Sequence, residues 1–330
     1  MSNLSLSVAM GDYDRTRPII DGRVPIQGVT PVCMAQEPEE LFFRAFRHAD
    51  YDVCELSLSS FVVRTARGDC PYIGVPVFPS RFFRHTSIYI RTDRGIESPE
   101  DLKGRRIGTP EYQLTACVWA RALLEDDHGV KPSDVTWVRG GIDEKGRVEK
   151  IKLNLPGDVK IEDIDPDTTL NELLEAGEID GMVTPRAPSC FKRGEPNVGR
   201  LFADSEAAAR YYYARTGIYP IMHLLGIRKT LLEQHPWLAG NIVKAFEEAK
   251  NVAAAHLKDI AAPKVMLPFL AEHLEALQAL FGDDIWPYGL DANRVVLETF
   301  LRHHHAQGLS ERLVAVEELF PPASLDSFRI

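Results

Sequence analysis

An α/β fold in two units is predicted by three observations. The first ninety residues alternate short β-rich apolar runs with helical patterns, a second alternation begins near Ile96, and long amphipathic helices follow Tyr219. A chain of 330 residues is also longer than one ordinary core requires. Each unit should hold a mainly parallel sheet flanked by helices.

The elements follow in order. "LSLSVAM" reads as a first strand, and "PEELFFRAFRHAD" has helical spacing after a start signal at Pro38. "YDVCELS" is a strand running into the helical "LSSFVVRTARG". "YIGVPVF" and "TSIYIRT" are rich in β-branched and aromatic residues. The second unit opens near "IESPEDLKGRRIGTPEYQLTACVWARALLEDDHG": a short helix, the strand "RRIGT", a turn, and a long helix from about Gln113 to Asp127 that ends near Gly129. "VTWVRGG" is the next strand, and "TTLNELLEAGEIDGMVTP" supplies a helix and a strand. The charged stretch between them, "DEKGRVEKIKLNLPGDVKIEDIDPD", reads as a solvated hairpin or loop. Late helices are clearest in "PWLAGNIVKAFEEAKNVAAAHLKDI" and "DANRVVLETFLRHHHAQG", the latter with Asp291 as N-cap and Gly308 as its stop. No internal repeat or low-complexity segment is present.

Composition narrows the function classes. With 45% hydrophobic residues, 26% charged residues and a net charge of -10, the chain fits a folded globular protein without general affinity for nucleic acid or anionic membrane. Its five cysteines are odd in number and form no C-x-x-C pair, as expected of reduced thiols rather than a disulfide framework or zinc site. The start, "MSNLSLSVAMGDYDR", lacks a basic region and a long apolar run, and no stretch reaches about 18 uninterrupted apolar residues. A cytoplasmic location and no membrane span are therefore expected.

Several residues stand out chemically. In "RTGIYPIMHLLGIRK", strand alternation puts Tyr219, Ile221, His223, Leu225 and Ile227 on one face, so His223 interrupts an apolar stripe. It is either a core residue satisfied by one hydrogen bond or a functional group. "GTPEYQLTA" is a strand-to-helix turn whose first amides lack internal partners, with Tyr112, Gln113 and Thr115 as side-chain donors; anion binding and plain capping both fit. Ser57 in "SLSS" can cap a helix or meet a carboxylate, and Asp14 in "GDYD" can accept a proton or form an Asx turn. "SRFFRHTS" is the densest cationic stretch, carrying Arg81, Arg84 and His85 beside two phenylalanines, while Arg186 ends a strand in "VTPRAP". The run His303 to His305 is a poor metal site, because consecutive helical residues point about 100 degrees apart.

Five motifs in order, "GDYDRTRP", "YDVCELSLSSF", "PVFPSRFFRHTSIYI", "DLKGRRIGTPEYQLTACVWARALL" and "GIYPIMHLLGIRK", resemble the 4,5-dihydroxyphthalate decarboxylase family, a likeness that extends over most of the chain. The resemblance implies a two-lobed, type 2 periplasmic-binding-protein-like fold with the ligand cleft between the lobes. Lobe one would be discontinuous (1–92 and 219–330) and lobe two would span 93–218. It implies removal of one carboxylate from 4,5-dihydroxyphthalate or a close relative, giving protocatechuate and carbon dioxide. A small aromatic dicarboxylate is then the partner, with neither nucleic acid nor membrane, and a homo-oligomer is left open. No cofactor is expected, although a divalent metal held by distant segments is left open.

Under this reading, Arg81, Arg84 and Arg186 are the candidate carboxylate clamps, since a planar guanidinium fork suits that geometry. His223 is the candidate proton donor or relay, because a histidine's ordinary pKa of about 6.5 lets it cycle near neutrality, with His85 as partner or alternative. Glu111 could donate a proton or orient a histidine. Tyr112, Thr115, Tyr219, Ser57 and Asp14 complete the expected substrate contacts. The competing functions are a non-catalytic binding or sensor protein and another biosynthetic enzyme on the same scaffold, such as those of menaquinone or thiamin-pyrimidine formation.

Overall fold

The computed structural model describes residues 3–147, 149, 151 and 153–321. They form two compact units: unit 1 is Met1–Arg81, His223–Leu297 and Ala315–Ile330, and unit 2 is Phe82–Met222 and Glu298–Val314.

Among the described residues, unit 1 is built on five strands: β1 (Leu4–Met10), β2 (Val29–Ala35), β3 (Val53–Ser57), β4 (Tyr72–Arg81) and, much later in the chain, a strand at Ile221–Arg228. Their order is β2-β1-β3-(Ile221–Arg228)-β4. β1 runs parallel to β2 and β3, whereas the late strand is antiparallel to β3 and sets His223 opposite Ser57 and Leu225 opposite Glu55. Val8, Leu56, Leu224 and Leu225 are buried in the core, each contributing roughly 1.5–3 kcal/mol by leaving water. The alternating patterns of β1, β3 and the helix from Pro38 predicted these elements; that helix spans Pro38–His48 and closes on Ala49 in the left-handed region. β2 was not expected from its pattern. Pro31 interrupts it, and a proline that cannot donate is tolerated because β2 lies at the sheet edge.

Unit 2 holds six strands among its described residues: β5 (Ile88–Arg91), β6 (Arg106–Thr109), β7 (Thr136–Arg139), β8 (Lys160–Asp163), β9 (Gly181–Val183) and β10 (Val198–Arg200). The late strand of unit 1 is β11. The order here is β10-β5-β9-β6-β7-β8, with β6, β7, β8 and β9 paired in parallel and β5 antiparallel to both β9 and β10. β5 therefore belongs to the second sheet, although the expected lobe boundary at 92/93 lies after it. The helix Thr115–His128 is buried along most of its length and stops at Gly129, whose φ of 61° opens the left-handed turn. Tyr89, Val138, Leu170, Leu174 and Met182 form a core against this sheet.

The charged stretch read as a solvated hairpin or loop contains β8, which pairs in parallel with β7. Its outward residues hide a strand period, and its pairing with β7 is reinforced by Arg139, which donates from Nε to Asp163 at 2.7 Å. Val148, Lys150 and Lys152 of that stretch lie outside the described residues.

The triple histidine is part of a helix end. His303 Nε2 meets Asp126 Oδ2 at 2.7 Å, His304 Nδ1 meets Ser310 Oγ at 3.1 Å, and His305 Nδ1 meets the Ser310 carbonyl at 3.0 Å. Burial pushes the Asp126 carboxyl up, but the bonds from His303 and Arg302 outweigh it and hold it at about 2. A depressed carboxyl stabilises the fold above its unfolded value of about 3.9 and loses that contribution as pH falls toward the folded value. Asp126→Asn should accordingly lower Tm near pH 6 and make little difference near pH 2. Equal losses at both ends of a series of thermal melts would contradict this.

Candidate functional site

In unit 1, a buried carboxylate on β3 meets groups from the turn after β1 and from β11. Glu55 lies in the middle of β3 with 0% exposure. It faces Leu225 across the ladder, and His223 lies two positions along, so the two side chains meet diagonally. His223 Nδ1 is 2.5 Å from Glu55 Oε1, and the same oxygen accepts from the Tyr13 hydroxyl at 2.9 Å. The other carboxylate oxygen accepts from the Gly11 amide at 2.8 Å. Three donors thus replace the water that Glu55 has lost, which is what makes a charge tolerable in this position.

Local sequence explains the geometry. The Tyr13 ring folds back over Gly11, where a Cβ would lie 2.4 Å from Tyr13 Cζ, so residue 11 must lack a side chain. Thr16 closes the turn by donating to the Gly11 carbonyl at 2.7 Å while accepting from the Tyr13 amide at 2.9 Å. Phe42 sets its edge against the His223 ring, with centroids 4.7 Å apart.

The electrostatics give each group a state. Burial pushes the Glu55 carboxyl up, yet the His223, Gly11 and Tyr13 hydrogen bonds prevail and keep it below the usual carboxylate range. Burial and then the Glu55 charge push the Tyr13 hydroxyl upward, so Tyr13 remains a donor. With Glu55 ionised, His223 carries its Nδ1 proton toward the carboxylate. Nε2, which has no protein partner among the described residues, is left for ligand chemistry. His223 keeps 16% of its side-chain surface exposed.

The other expected residues of unit 1 have different surroundings. Asp14 is 54% exposed and pairs with Arg15 at 3.0 Å. Ser57 is buried at the start of the helix Leu58–Arg67, where its side chain makes no capping bond. Arg81 is buried and directs Nη2 to the Pro287 carbonyl at 2.6 Å and to Asn293 Oδ1, a role that ties the end of β4 to a later turn.

In unit 2, Arg84 lies over the Phe82 ring at 5.0 Å, with Nε 3.2 Å from Met222 Sδ and Nη1 3.4 Å from Ser87 Oγ. No carboxylate pairs with it among the described residues, and burial lowers its guanidinium to about 10. Tyr219 stacks on Phe83 with centroids 4.7 Å apart and planes 18° apart. His85 sits among Phe202, Tyr212 and Phe83, where burial lowers it to about 4 and holds it neutral at ordinary pH. Arg186 is exposed, and its guanidinium meets no partner among the described residues.

The strand-to-helix turn carries internal carboxylates. Glu149 accepts from the amides of Tyr112 (3.0 Å) and Gln113 (3.1 Å) and pairs with Arg139 at 3.1 Å. Glu111 is wholly buried and accepts from Arg147 Nε and Nη2 at 2.9 and 2.6 Å. The Tyr112 ring is packed on Arg121, whose Cζ lies 3.8 Å from its centroid, and Thr115 is buried at the first turn of its helix. Among the described residues, no group of three or more His, Cys, Asp or Glu side chains is placed to hold a metal ion.

The structure therefore brings His223 together with Glu55 and Tyr13, and places Arg84, His85, Glu111, Tyr112, Thr115, Arg186 and Tyr219 in unit 2. Glu55 was not singled out by the motif reading. Its signal was present: a charged residue inside the apolar strand "VCELS" must find donors or leave the core.

Comparison with known proteins adds three findings. A family described as NMT1/THI5 like matches residues 83–148. The chain is 58% identical over 330 residues, covering 100% of both sequences, to a 4,5-dihydroxyphthalate decarboxylase of Comamonas testosteroni; a protein of the same name from Pseudomonas putida is 63% identical over 213 residues, covering 64% of this chain and 83% of its own. Among solved structures, the periplasmic aliphatic sulphonate binding protein SsuA of Escherichia coli aligns with a TM-score of 0.54 at 13% identity, covering 97% of this chain and 98% of its own. The desulfurization enzyme DSZB gives 0.53 at 14%, covering 98% of each. These structural likenesses show the fold, a two-lobed periplasmic-binding-protein-like α/β architecture.

Proposed function

The chain belongs to the 4,5-dihydroxyphthalate decarboxylase family, and from that premise we propose that His223, oriented by Glu55, is the proton donor of the reaction. The activity is that of a carbon–carbon lyase: one carboxylate leaves 4,5-dihydroxyphthalate, producing protocatechuate and carbon dioxide. The single observation that carries the assignment is the 2.5 Å contact between His223 Nδ1 and the buried, ionised Glu55.

The chemistry follows from that contact. Protonated His223 donates from Nε2 to the ring carbon bearing the leaving carboxylate, while the para hydroxyl loses its proton and feeds electrons into the ring. The carbon–carbon bond then breaks, its electron pair restores aromaticity, and carbon dioxide departs. Solvent reprotonates the imidazole and the phenolate, so one proton is consumed per turnover. Glu55 fixes the imidazole ring by accepting from Nδ1, and Tyr13 holds Glu55; both are positioning residues.

His85, neutral in its aromatic box, is given no proton transfer. No cofactor enters this scheme, so dialysis against a chelator should leave turnover intact; loss restored by a divalent metal would contradict it. A cytoplasmic location is part of the same reading, supported by five cysteines that carry no disulfide.

The deciding experiment is incubation with 4,5-dihydroxyphthalate while carbon dioxide and protocatechuate are measured. Stoichiometric appearance of both is expected. Recovery of unchanged ligand would mean that the protein only binds.

A further inference from the structure

The proton-handling groups of unit 1 are adjoined by one arginine that neither the motifs nor the relatives' names assign. Arg15 lies between two aromatic rings: its Cζ is 4.4 Å from the Tyr13 centroid and 4.2 Å from that of Trp286. Each ring is itself pinned. The Tyr13 hydroxyl donates to Glu55 at 2.9 Å, and Trp286 Nε1 donates to the Phe78 carbonyl at 2.9 Å. Arg15 Nε donates to the Pro79 carbonyl at 2.6 Å, and the side chain keeps 17% of its surface exposed. The guanidinium plane is therefore set before any ligand arrives, which reduces the entropy lost on binding.

The partners leave part of the fork open. Nη1 meets Asp14 Oδ1, but Nη2 meets no protein acceptor among the described residues. Asp14 is largely exposed, so its pair with Arg15 is weak and readily exchanged, and it retains a second bond from the Arg15 amide at 2.8 Å. Tyr13 places this open edge beside the dyad, since one face of its ring meets Arg15 while its hydroxyl reaches the carboxylate that orients His223.

We infer that Arg15 is a substrate-binding residue whose Nη1–Nη2 edge takes the carboxylate that the product retains. The inference rests on the decarboxylase reading for its ligand. The retained group is selected because a guanidinium on the departing carboxylate would stabilise the charge that has to disappear as neutral carbon dioxide forms. Protocatechuate keeps this carboxylate and binds Arg15 as well.

Phthalate, which has both carboxylates and no hydroxyls, and catechol, which has the hydroxyls alone, separate the possible contacts. For Arg15→Met in the full chain, phthalate affinity by calorimetry, KM for 4,5-dihydroxyphthalate and Ki for protocatechuate should each weaken by about 10- to 100-fold. Catechol inhibition should be unchanged, and kcat should move much less than KM. Arg15→Lys, which keeps the charge and loses the fork, should fall between wild type and Arg15→Met. Unchanged phthalate affinity in either folded variant overturns the inference, as does equal weakening toward phthalate and catechol. Wild-type protein that binds phthalate through Arg15 but releases no carbon dioxide would instead sink the decarboxylase reading and leave this contact standing.

Discussion

His223→Gln is expected to lose about 10²- to 10⁴-fold in kcat, the usual worth of a positioned general acid. Glutamine can still donate an amide hydrogen to Glu55 Oε1, so the buried carboxylate that now lies 2.5 Å from the imidazole keeps a partner and the sheet should fold. What disappears is the second nitrogen. An imidazole can hold a proton on Nδ1 for Glu55 and release another from Nε2, whereas a carboxamide has no comparable acidic proton. Steady-state carbon dioxide release under saturating substrate, beside circular dichroism and Tm, separates the two effects. Near-normal kcat in the folded variant would remove His223 from the mechanism.

Glu55→Gln should cost a similar factor, about 10²- to 10⁴-fold in kcat, though the residue touches no substrate. Its carboxylate is ionised and accepts from Gly11, Tyr13 and His223. A glutamine in the same space can accept from Gly11 through its carbonyl, which leaves its NH2 group in the place of Oε1, facing both His223 Nδ1 and the Tyr13 oxygen. That arrangement favours the tautomer with its proton on Nε2 and removes the acceptor that holds the ring through Nδ1. The loss should therefore appear in kcat at saturating substrate while the variant stays folded. A purely structural role would lower Tm and leave kcat of the folded variant near the wild-type value. Tyr13→Phe, which removes one of three donors to Glu55, should lower kcat by less than Glu55→Gln, since the carboxylate and its contact with Nδ1 remain.

The contrast between residues shows what a sequence reveals in a fold of this kind. β1 and the helix Pro38–His48 were legible because one buried face imposes a short-range period on each. β8 was not, since an edge strand with exposed charged residues has little apolar face to advertise. His223 was legible as a misfit in an apolar alternation. Its partner Glu55 was equally anomalous in "VCELS", but strand pairing was needed to bring two residues 168 positions apart into contact. The arginines were ranked by local charge density, which cannot tell a committed guanidinium from an available one. Arg81 is held by Asn293, 212 positions away, while Arg84 has no carboxylate partner among the described residues. The same limit applies at "GTPEYQLTA", where the expected anion site is met by Glu149 from a distant loop.

The most direct test is the structure of the protein bound to phthalate, an unreactive analogue that presents the same paired carboxylates. The account predicts His223 Nε2 about 3–3.5 Å from a carboxylate-bearing ring carbon, the distance at which a proton can be handed over, with the Glu55 contact to Nδ1 retained. A complex that leaves Nε2 more than about 6 Å from every such carbon, beyond hydrogen-bond reach even through one water, would contradict it.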